Sequence, residues 1–600
     1  MNGWLPTTAK ECERLGWDSL DVILFTGDAY VDHPSFGAAV IGRVLEARGL
    51  HVAIVPQPNW QDDLRDFKKL GRPNLFFGVT AGTMDSMVNK YTAGKRLRSE
   101  DAYTPDGRHS SRPEYPSIVY TRILKKLFPD VPVVLGGIEA SMRRFTHYDY
   151  WQDSIRPGIL CESGADWLVY GMGEKPVTAI AESLLAGHPE EIFTQPQVGF
   201  LCNEVPGGTR PDDRILFPHE QCISDRAAEA ANFRVIEEES NRICASRIIQ
   251  RTQNRYIVVN PPYPPMTTGE LDAIYDLPYT RLPHPRYKGK RIPAYEMIRH
   301  SVTIHRGCFG GCSFCTISAH QGKQIVSRSE ESILKEVRRI TGMEDFKGYV
   351  SDLGGPSANM YGLGGKERSL CMKCRRPSCL HPNVCPNLDT NLERLTALYR
   401  KASEVEGVKK ICIGSGIRYD ILLHKSDDAR TNRSHAEYAE QLVSKHVSGR
   451  LKVAPEHTSD NVLTLMRKPS FTQFGQFKQM FDAINRKAGL SQQLIPYFIS
   501  SHPGCTEKDM AELAVMTKRL NFRLEQVQDF TPTPMTLSTE MFFTGINPYT
   551  GKEVYTALTP DEKLAQRMFF FWYEPDKRSR ITAELRRIGR PDLIAKLFGR

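Results

Sequence analysis

SVTIHRGCFGGCSFC, residues 301–315, is a buried-strand pattern that passes directly into a glycine-rich loop with three cysteines. Further strand-like segments follow it and alternate with helical patterns: residues 348–352, 409–413, 451–454, 493–499 and 524–529. Six consecutive βα units predict a partial (β/α)6 barrel of the TIM type over residues 298–540. Because the chemistry of such barrels lies at the carboxyl ends of the strands, the cysteine loop falls where a catalytic site is expected.

The first 190 residues show the same alternation of strand and helix. Their strand-like segments are residues 21–25, 51–55, 74–78, 131–135 and 166–170. This pattern predicts an α/β, doubly wound, Rossmann-like N-terminal domain over residues 1–190. Ligands of such sheets lie beyond the carboxyl ends of the strands, where this chain has His33, Gly136-Gly137 and Gly171-Met-Gly173-Glu174. Glycines there also make tight turns, so they do not by themselves establish a ligand.

Composition limits the class of protein. With 600 residues, 40% hydrophobic and 25% charged, the chain is predicted to be a soluble protein of about three domains, which excludes disordered, collagen-like and coiled-coil classes. It has no apolar run long enough for a membrane span and no signal-peptide core at residues 1–19, so we expect a cytoplasmic protein without a membrane partner.

Two regions lie outside the predicted α/β units. Eight prolines fall between Pro261 and Pro293, and we interpret residues 191–297 as a proline-rich bridging region. Residues 541–600 are predicted to be a basic C-terminal extension, since eight Lys or Arg residues lie between Lys577 and Arg600 against two acidic ones. That charge suits either a solvated basic helix or a surface that binds RNA or DNA.

The three cysteines of the opening stretch have the spacing CxxxCxxC. Thiolates of Cys308, Cys312 and Cys315 supply three ligands to an iron–sulfur cluster and leave its fourth position open. The alternatives are a structural zinc site that borrows His305, or three buried cysteines without a metal. The spacing and the strand–loop–helix context favour the cluster.

A second cysteine group interrupts the predicted barrel within residues 366–387. It contains four thiols in a short polar loop, which match either a four-cysteine zinc site or an auxiliary iron–sulfur cluster. The spacing does not distinguish these two metals. The four residues are Cys371, Cys374, Cys379 and Cys385.

The CxxxCxxC spacing, with the aromatic Phe314 before the last cysteine and a predicted barrel behind it, resembles the radical S-adenosylmethionine (SAM) enzymes. The resemblance implies a 4Fe-4S cluster on the three cysteines whose open iron binds SAM. It implies reductive cleavage of SAM to a 5'-deoxyadenosyl radical, used for hydrogen abstraction or for methyl or sulfur transfer. An electron donor such as flavodoxin or ferredoxin is implied as the partner.

The same resemblance extends to the ends of the other strands. Leu353-Gly-Gly-Pro356 is similar to the glycine-rich motif that binds the SAM amino group, although Pro356 stands where an acidic residue is usual. The third and fourth strands end at residues 414–418 and 455–457, where polar side chains of the family meet the SAM carboxylate and ribose. The implied cofactor-binding residues are Phe314, Gly354, Gly355, Ser415, Arg418 and Glu456.

The order of these parts along nearly the whole chain resembles the YgiQ-type radical SAM proteins. Residues 136–141 and 166–174 are similar to segments of cobalamin-binding domains. Asp32-His33 departs from the DxHxxG pattern of cobalt-ligating histidines, because the aspartate is adjacent and the glycine one residue late. The N-terminal domain is therefore interpreted either as binding cobalamin without a histidine ligand or, preferably, as an inherited fold without it.

A different class of function is the alternative. In it the chain is a nucleic-acid-binding iron–sulfur protein, in tRNA or RNA modification or in redox sensing, and residues 577–600 hold the nucleic acid. The substrate, the specific reaction and the oligomeric state do not follow from the sequence.

Overall fold

The computed structural model describes residues 3–599. Its N-terminal half is built on one sheet of nine strands. The five strands predicted from the sequence pair in parallel, and the first strand lies between the second and the third. The expected α/β class and the large parallel sheet are confirmed. In spatial order the nine strands are Val52–Pro56, Val22–Thr26, Phe76–Thr80, Val133–Gly136, Trp167–Val169, Val198–Cys202, Arg255–Val259, Ile248–Thr252 and Arg214–Leu216.

The last four strands of this sheet correct the sequence prediction for residues 191–297. They come from the region interpreted as a bridge, and they extend the sheet mostly with antiparallel pairs. The shortest of them, Arg214–Leu216, has three residues, too few for a periodic pattern. The proline-rich part of this region connects the two halves of the chain. It runs alongside the N-terminal half, where the Arg281 amide donates to the Asp32 carbonyl oxygen (2.8 Å), and then enters the second half.

The second half contains all six strands predicted from the sequence. Neighbouring strands pair in parallel in the order of the chain. The first strand pairs with the second and the second with the third; separately, the fourth pairs with the fifth and the fifth with the sixth. Parallel pairing brings their carboxyl ends to the same side of the molecule. Their bounds are Ser301–Thr303 with His305–Arg306, Tyr349–Val350 with Asp352–Gly354, Lys410–Ile411, Arg450–Glu456, Gln493–Ser500 and Gln526–Asp529.

Helices separate the strands in both halves. In Glu330–Thr341 the side chain of Ser329 caps the N-terminus, and Ile333, Val337 and Ile340 form the buried face. A capping box at Thr506 and Asp509 begins the helix Glu507–Arg519. The N-terminal half has Ala9–Arg14, Gly37–Glu46, Arg65–Lys68, Ser86–Lys90, Pro116–Leu127, Gly137–Met142, Ile159–Ser163, Glu174–Leu185, His219–Ser224, Arg226–Ser240, Thr268–Tyr275 and Pro293–Ile298. The second half has Ile317–Gln321, Glu330–Thr341, Arg368–Lys373, Glu393–Ser403, Tyr419–Leu423, Ala429–Gln441, Asp460–Leu465, Phe471–Lys487 and Glu507–Arg519.

The C-terminal extension packs its apolar side chains against the second half and leaves most of its basic side chains exposed. Its basic end forms two helices whose apolar side chains belong to the same core as the six strands. Arg587 and Arg590 form ion pairs with Glu507 and Glu512 of a neighbouring helix. These two carboxylates neutralise part of the positive charge that would otherwise be available to bind nucleic acid. The helices of the extension are Leu537–Thr544, Pro560–Arg567, Arg578–Arg587 and Asp592–Phe598.

Within residues 3–599 we find no helix with the length and apolar character that crossing a membrane requires.

Candidate functional site

The CxxxCxxC loop begins directly after the first strand of the second half and turns sharply twice. Gly307 and Gly311 have positive φ angles of 87° and 59°. A Cβ on Gly307 would lie 2.0 Å from the carbonyl oxygen of Gln324. The Cys308 amide donates to the Gly322 carbonyl oxygen (3.1 Å), and the Cys315 amide to that of Cys312 (3.2 Å). The glycines thus allow the loop to fold back on itself and to present three thiols together.

The three thiols repel one another as thiolates. Burial, together with the neighbouring Cys312, raises the pKa of Cys308, and it raises the pKa of Cys315 to about 12. Arg418 supplies a cation, with its Nη1 3.3 Å from the Cys312 Sγ. An iron–sulfur cluster needs deprotonated thiols and N–H donors to sulfur, and this donor set fits it.

Among the described residues, no three His, Cys, Asp or Glu side chains converge on a point that one metal ion could occupy. The thiols of a cubane cluster bind different irons, so a cluster does not require such convergence.

The second cysteine group lies directly against the first, which the sequence does not indicate. The Cys379 amide donates to the Phe309 carbonyl oxygen (3.0 Å), and the buried Ser378 hydroxyl donates to that of Gly310 (2.7 Å). A Cβ on Gly311 would lie 2.4 Å from the Pro377 carbonyl oxygen. The paired glycines 310 and 311 are therefore the site of contact between the two loops.

The four thiols of the second group are neighbours of one another. Burial raises the pKa of Cys371, and it raises that of Cys379 to about 11. Two N–H donors face the group: Lys323 Nζ lies 3.7 Å from the Cys374 Sγ, and the Asn387 amide lies 3.4 Å from the Cys371 Sγ. The Cys385 amide donates to the Cys379 carbonyl oxygen (2.8 Å). Four neighbouring thiols with donors nearby suit an iron–sulfur cluster, whereas the described residues do not show the convergence on one point that a zinc ion requires.

Gly354 and Gly355 end the second strand, beside the cysteine loop. A Cβ on Gly354 would lie 2.1 Å from the Ser415 Oγ, and one on Gly355 would lie 2.5 Å from the His305 ring. Both positions require glycine because of these approaches. The Gly354 carbonyl oxygen already accepts from the Ile304 amide (2.8 Å). The Gly355 carbonyl oxygen accepts no backbone bond from the described residues, which makes it the freer acceptor for a ligand.

Asp352 is a site residue that sequence reasoning missed. Its Oδ1 accepts from the Gly414 amide (2.8 Å), and from the amide and hydroxyl of Ser415 (both 3.2 Å). Its Oδ2 accepts no hydrogen bond from the described residues. Burial raises the pKa of Asp352. Its position two residues before the glycine pair, at the end of a strand, was the available signal.

The structure changes the expected role of Arg418. Its guanidinium is held by Asp420 through two bonds of 2.9 and 2.5 Å, and the third direction faces Cys312. Its two-pronged donor geometry is thus occupied, and Arg418 orients the cysteine loop instead of offering a free fork to a carboxylate.

Glu456 and Phe314 lie at the same end of the strands. Glu456 has a positive φ of 67° and is buried beside Lys468, whose Nζ is 3.6 Å from its Oε1. Burial raises the pKa of Glu456. The Phe314 ring is half-buried and meets the ring of His502 edge-on, with centroids 6.1 Å apart. Strain at a glutamate indicates that the surroundings fix it in place.

A cavity of about 480 Å³ lies between the carboxyl ends of the N-terminal sheet and the first two strands of the second half. Its N-terminal wall contains the glycines expected from the sequence, at positions 136, 137, 171 and 173. Its other wall contains His305, Asp352 and Gly354. A cavity of this size accommodates a drug-sized organic molecule.

His305 is the most unusual group in this cavity. Its ring is fully buried, and neither ring nitrogen has a hydrogen-bond partner among the described residues. Burial lowers the pKa of His305 to about 3, so the ring is neutral at physiological pH. Buried polar groups are ordinarily satisfied, and this one is left for a ligand.

Two other residues at the ends of the N-terminal strands have structural contacts. His33 Nδ1 accepts from the Ser35 amide (3.1 Å), as expected of a turn residue. Glu174 forms a buried ion pair with Arg306 (2.5 Å), which joins the two halves of the chain across the cavity.

Comparison with known families finds two matches. Residues 4–301 match the family model described as radical SAM N-terminal, and residues 525–597 match a domain of unknown function, DUF3362. A UPF0313 protein of Bacteroides thetaiotaomicron is 66% identical over all of this chain and 99% of its own length. The UPF0313 protein YgiQ of Escherichia coli K12 is 43% identical, over 98% of this chain and 87% of its own length.

Solved structures give more distant matches. The radical SAM methyltransferase TsrM from Kitasatospora setae, with cobalamin and a 4Fe-4S cluster bound, is 14% identical and has a TM-score of 0.49. The match covers 93% of this chain and 90% of TsrM. The cobalamin-dependent SAM radical enzyme OxsB, with aqua-cobalamin bound, is 10% identical over 96% of this chain and 76% of its own, with a TM-score of 0.47.

Proposed function

This chain belongs to the UPF0313 family, which includes YgiQ, and we propose that it is a radical SAM enzyme acting through residues 298–540. The cluster ligands are Cys308, Cys312 and Cys315. A 4Fe-4S cluster held by these thiols would, once reduced by an external electron donor, supply the electron that splits SAM into methionine and a 5'-deoxyadenosyl radical. The observation that carries the proposal is the three-thiol loop at the carboxyl ends of parallel strands, beside a glycine pair that approaches its neighbours too closely for any Cβ.

The residues around the loop bind and orient SAM in this proposal. The carbonyl oxygen of Gly355 and the free Oδ2 of Asp352 are the acceptors for its amino group. Ser415, whose hydroxyl bonds to Asp352, lies next to them. Glu456 accepts from the ribose. Arg418 is a positioning residue for Cys312, because its fork is held by Asp420.

The substrate occupies the cavity between the two halves. The neutral His305 has two nitrogens without a partner among the described residues, one a donor and the other an acceptor, with which to bond to it. The glycines of the opposite wall leave space that side chains would otherwise fill. The buried pair Glu174–Arg306 spans the two walls, and burial of this kind excludes water from the reacting groups.

The test is anaerobic reconstitution with iron and sulfide, reduction, and mass spectrometry of the products of SAM. We expect 5'-deoxyadenosine from the native protein and none from Cys312→Ala. Cys412→Ala is the matched control, because Cys412 is half-buried but has no ligand spacing, and it should retain the activity. A fully iron-loaded native protein that forms no 5'-deoxyadenosine would contradict the proposal.

The second cysteine group binds a metal of its own, and its loop contact with the first group suits an iron–sulfur cluster that passes electrons to it. The alternative is structural zinc. Iron and zinc analysis of the triple variant Cys308→Ala, Cys312→Ala, Cys315→Ala separates them, because the second group is then the remaining site. Residual iron supports the cluster, whereas one zinc per chain supports the structural site.

Cobalamin in the cavity would change the reaction from hydrogen abstraction to methyl transfer. His33 Nδ1 accepts from the Ser35 amide and its Nε2 has no partner among the described residues, but the ring is not part of the cavity lining, so we propose no histidine ligand to cobalt in the cavity. Supplying cobalamin during expression and recording the absorbance of the purified protein tests this point. A corrinoid spectrum supports methyl transfer, and its absence from a well-supplied preparation supports hydrogen abstraction.

A further inference from the structure

A second, smaller cavity of about 140 Å³ adjoins the large one. The two share part of their walls, including Gly171, Arg306 and His320. No aspartate or glutamate of residues 3–599 lines the smaller cavity, whereas five cationic residues do. They are Arg144, Lys175, Arg242, Arg306 and Lys323.

Three of these five cations have carboxylate partners outside the cavity wall. Lys175 pairs with Glu270 (2.7 Å), Arg242 with Glu239 (2.7 Å) and Arg306 with Glu174 (2.5 Å). Lys323 faces the second cysteine group instead. Carboxylates thus compensate the charges of the first three, whereas the buried Lys323 has, among the described residues, only the Arg376 carbonyl oxygen (2.6 Å) and the Cys374 thiol as partners.

Arg144, like Lys323, has no carboxylate partner in the described part of the chain, and unlike Lys323 it has no thiol beside it. Its side chain is almost fully buried, at 2% exposure, and no carboxylate of the described residues forms an ion pair with it. Nη1 donates to the Ser141 carbonyl oxygen (2.7 Å), Nη2 donates to the Ser240 hydroxyl (2.7 Å), and the guanidinium lies 4.9 Å from the centre of the Tyr170 ring. All of these partners are neutral.

The partners of Arg144 compensate its charge only in part. Ser141 and Ser240 lie at the C-terminal ends of two helices, Gly137–Met142 and Arg226–Ser240, where the helix dipole favours a cation. That contribution is small beside the free energy of burying an unpaired charge. Burial lowers the pKa of Arg144 to about 10, an unusually low value for a guanidinium. A bound anion beside Arg144 would compensate the buried charge that its neutral partners leave uncompensated.

One donor in the same wall has no partner within residues 3–599. The Nε of Arg242 is buried and has no hydrogen-bond partner among the described residues. Donors from Arg144 and Arg242 therefore approach the cavity from separate segments of the chain, which suits a tetrahedral oxyanion with several acceptor oxygens.

We infer that the smaller cavity is a phosphate subsite, in which Arg144 is the counter-ion of a phosphate group carried by the ligand of the large cavity. The two cavities share Gly171, Arg306 and His320 in their walls, so the subsite lies directly beside the large cavity and within reach of its ligand. The subsite selects phosphorylated molecules.

Inorganic phosphate is the probe, used with the full chain at constant ionic strength set by sodium chloride. Phosphate should raise the melting temperature with its concentration, as a ligand of the folded state does, and calorimetry should give its affinity. Arg144→Gln should weaken phosphate binding by about tenfold or more. Arg251→Gln is the control, because it removes the same charge from an exposed position outside the cavity, and it should bind as the native protein does.

Arg144→Lys is a second variant, which keeps the positive charge and loses the paired N–H donors of the guanidinium. It should bind phosphate several-fold more weakly than the native protein, and unchanged affinity would overturn the role of the guanidinium. Equal phosphate effects in the native protein and Arg144→Gln would also overturn the assignment, as would tighter binding of acetate than of phosphate. The measurement needs neither iron nor SAM, so its outcome is independent of the proposed radical activity.

Discussion

Asp352 shows how a single residue joins the cysteine loop to the cavity. One of its oxygens holds the backbone of residues 414 and 415, and the other is free at the cavity wall. Its first role is structural and its second is available to a cationic ligand. Few side chains in the molecule combine the two.

We predict that Asp352→Asn weakens SAM binding by about ten- to a hundredfold, because a charged acceptor of the SAM amino group is replaced by an amide. The amide carbonyl can still accept from Gly414, so the fold should persist. Equilibrium dialysis with labelled SAM measures the affinity. Asp427→Asn, at an exposed position, is the control and should bind SAM normally. Unchanged affinity in Asp352→Asn would remove this residue from the SAM site.

His502 permits a prediction of pH dependence. Burial lowers its pKa to about 3, against an ordinary value of 6.5. Its Nε2 is 2.6 Å from the Ser538 hydroxyl, and its Nδ1 is 2.8 Å from the Pro503 carbonyl oxygen. As the pH falls below 6.5, the unfolded chain takes up a proton that the folded chain does not. The stability contributed by this residue is therefore lost as the pH falls from about 6.5 towards 3.

From pH 7.5 to pH 5.5 the native protein should lose about 1.4 kcal/mol more unfolding free energy than His502→Gln, which carries no titrating ring. Urea unfolding at the two pH values measures the difference. His188→Gln is the control, because that side chain is 59% exposed, and it should follow the native protein. Identical pH dependence of His502→Gln and the native protein would contradict the prediction.

At the scale of elements, the contact between the two cysteine loops depends on one glycine. Gly311 combines a positive φ with a Cβ position 2.4 Å from the Pro377 carbonyl oxygen. The insertion of residues 366–387 thus packs on the first loop through close backbone contact and through the Ser378 hydroxyl, which donates to the Gly310 carbonyl oxygen.

Gly311→Ala should lower the unfolding free energy by roughly 2–4 kcal/mol, from left-handed strain and from the clash with the insertion. It should also reduce the iron bound after reconstitution, because both loops must shift. Calorimetry and iron analysis measure the two effects. Gly364→Ala, where a Cβ meets nothing within 4 Å, should change neither. A normal iron content in Gly311→Ala would show that the loops assemble independently.

At the scale of the whole molecule, the two halves are joined across the cavity by the buried pair Glu174–Arg306. The side chains are 4% and 8% exposed. Removing one partner leaves the other charged and buried, which typically costs about 3–5 kcal/mol.

Arg306→Met and Glu174→Met should each destabilise the protein by about that amount, and the double variant should cost less than their sum. Urea unfolding of the four proteins gives the coupling energy. The exposed pair Arg48–Glu182, at 59% and 57%, should show coupling below about 1 kcal/mol in the same cycle. Additive effects at Glu174 and Arg306 would mean that the pair does not hold the halves together.

The sequence by itself determined the parts whose signals are local. Strand periodicity predicted five strands of the N-terminal sheet and six of the second half, and cysteine spacing together with the glycine pair led to the radical SAM class. These features succeed because a strand, a turn or a ligand loop is encoded by residues adjacent in the chain. The four strands within residues 198–259 were missed, because their pairing is specified by the sheet they join and not by residues adjacent in the chain.

Only the tertiary structure decided how distant segments meet. It brings Cys379 to Phe309, encloses His305 without a partner, and buries Arg144 away from every described carboxylate. None of these has a local sequence signal, because burial and charge compensation depend on which side chains the fold brings together. The composition of the chain set the chemistry that was available, and the packing of its two halves determined which groups remained free to use it.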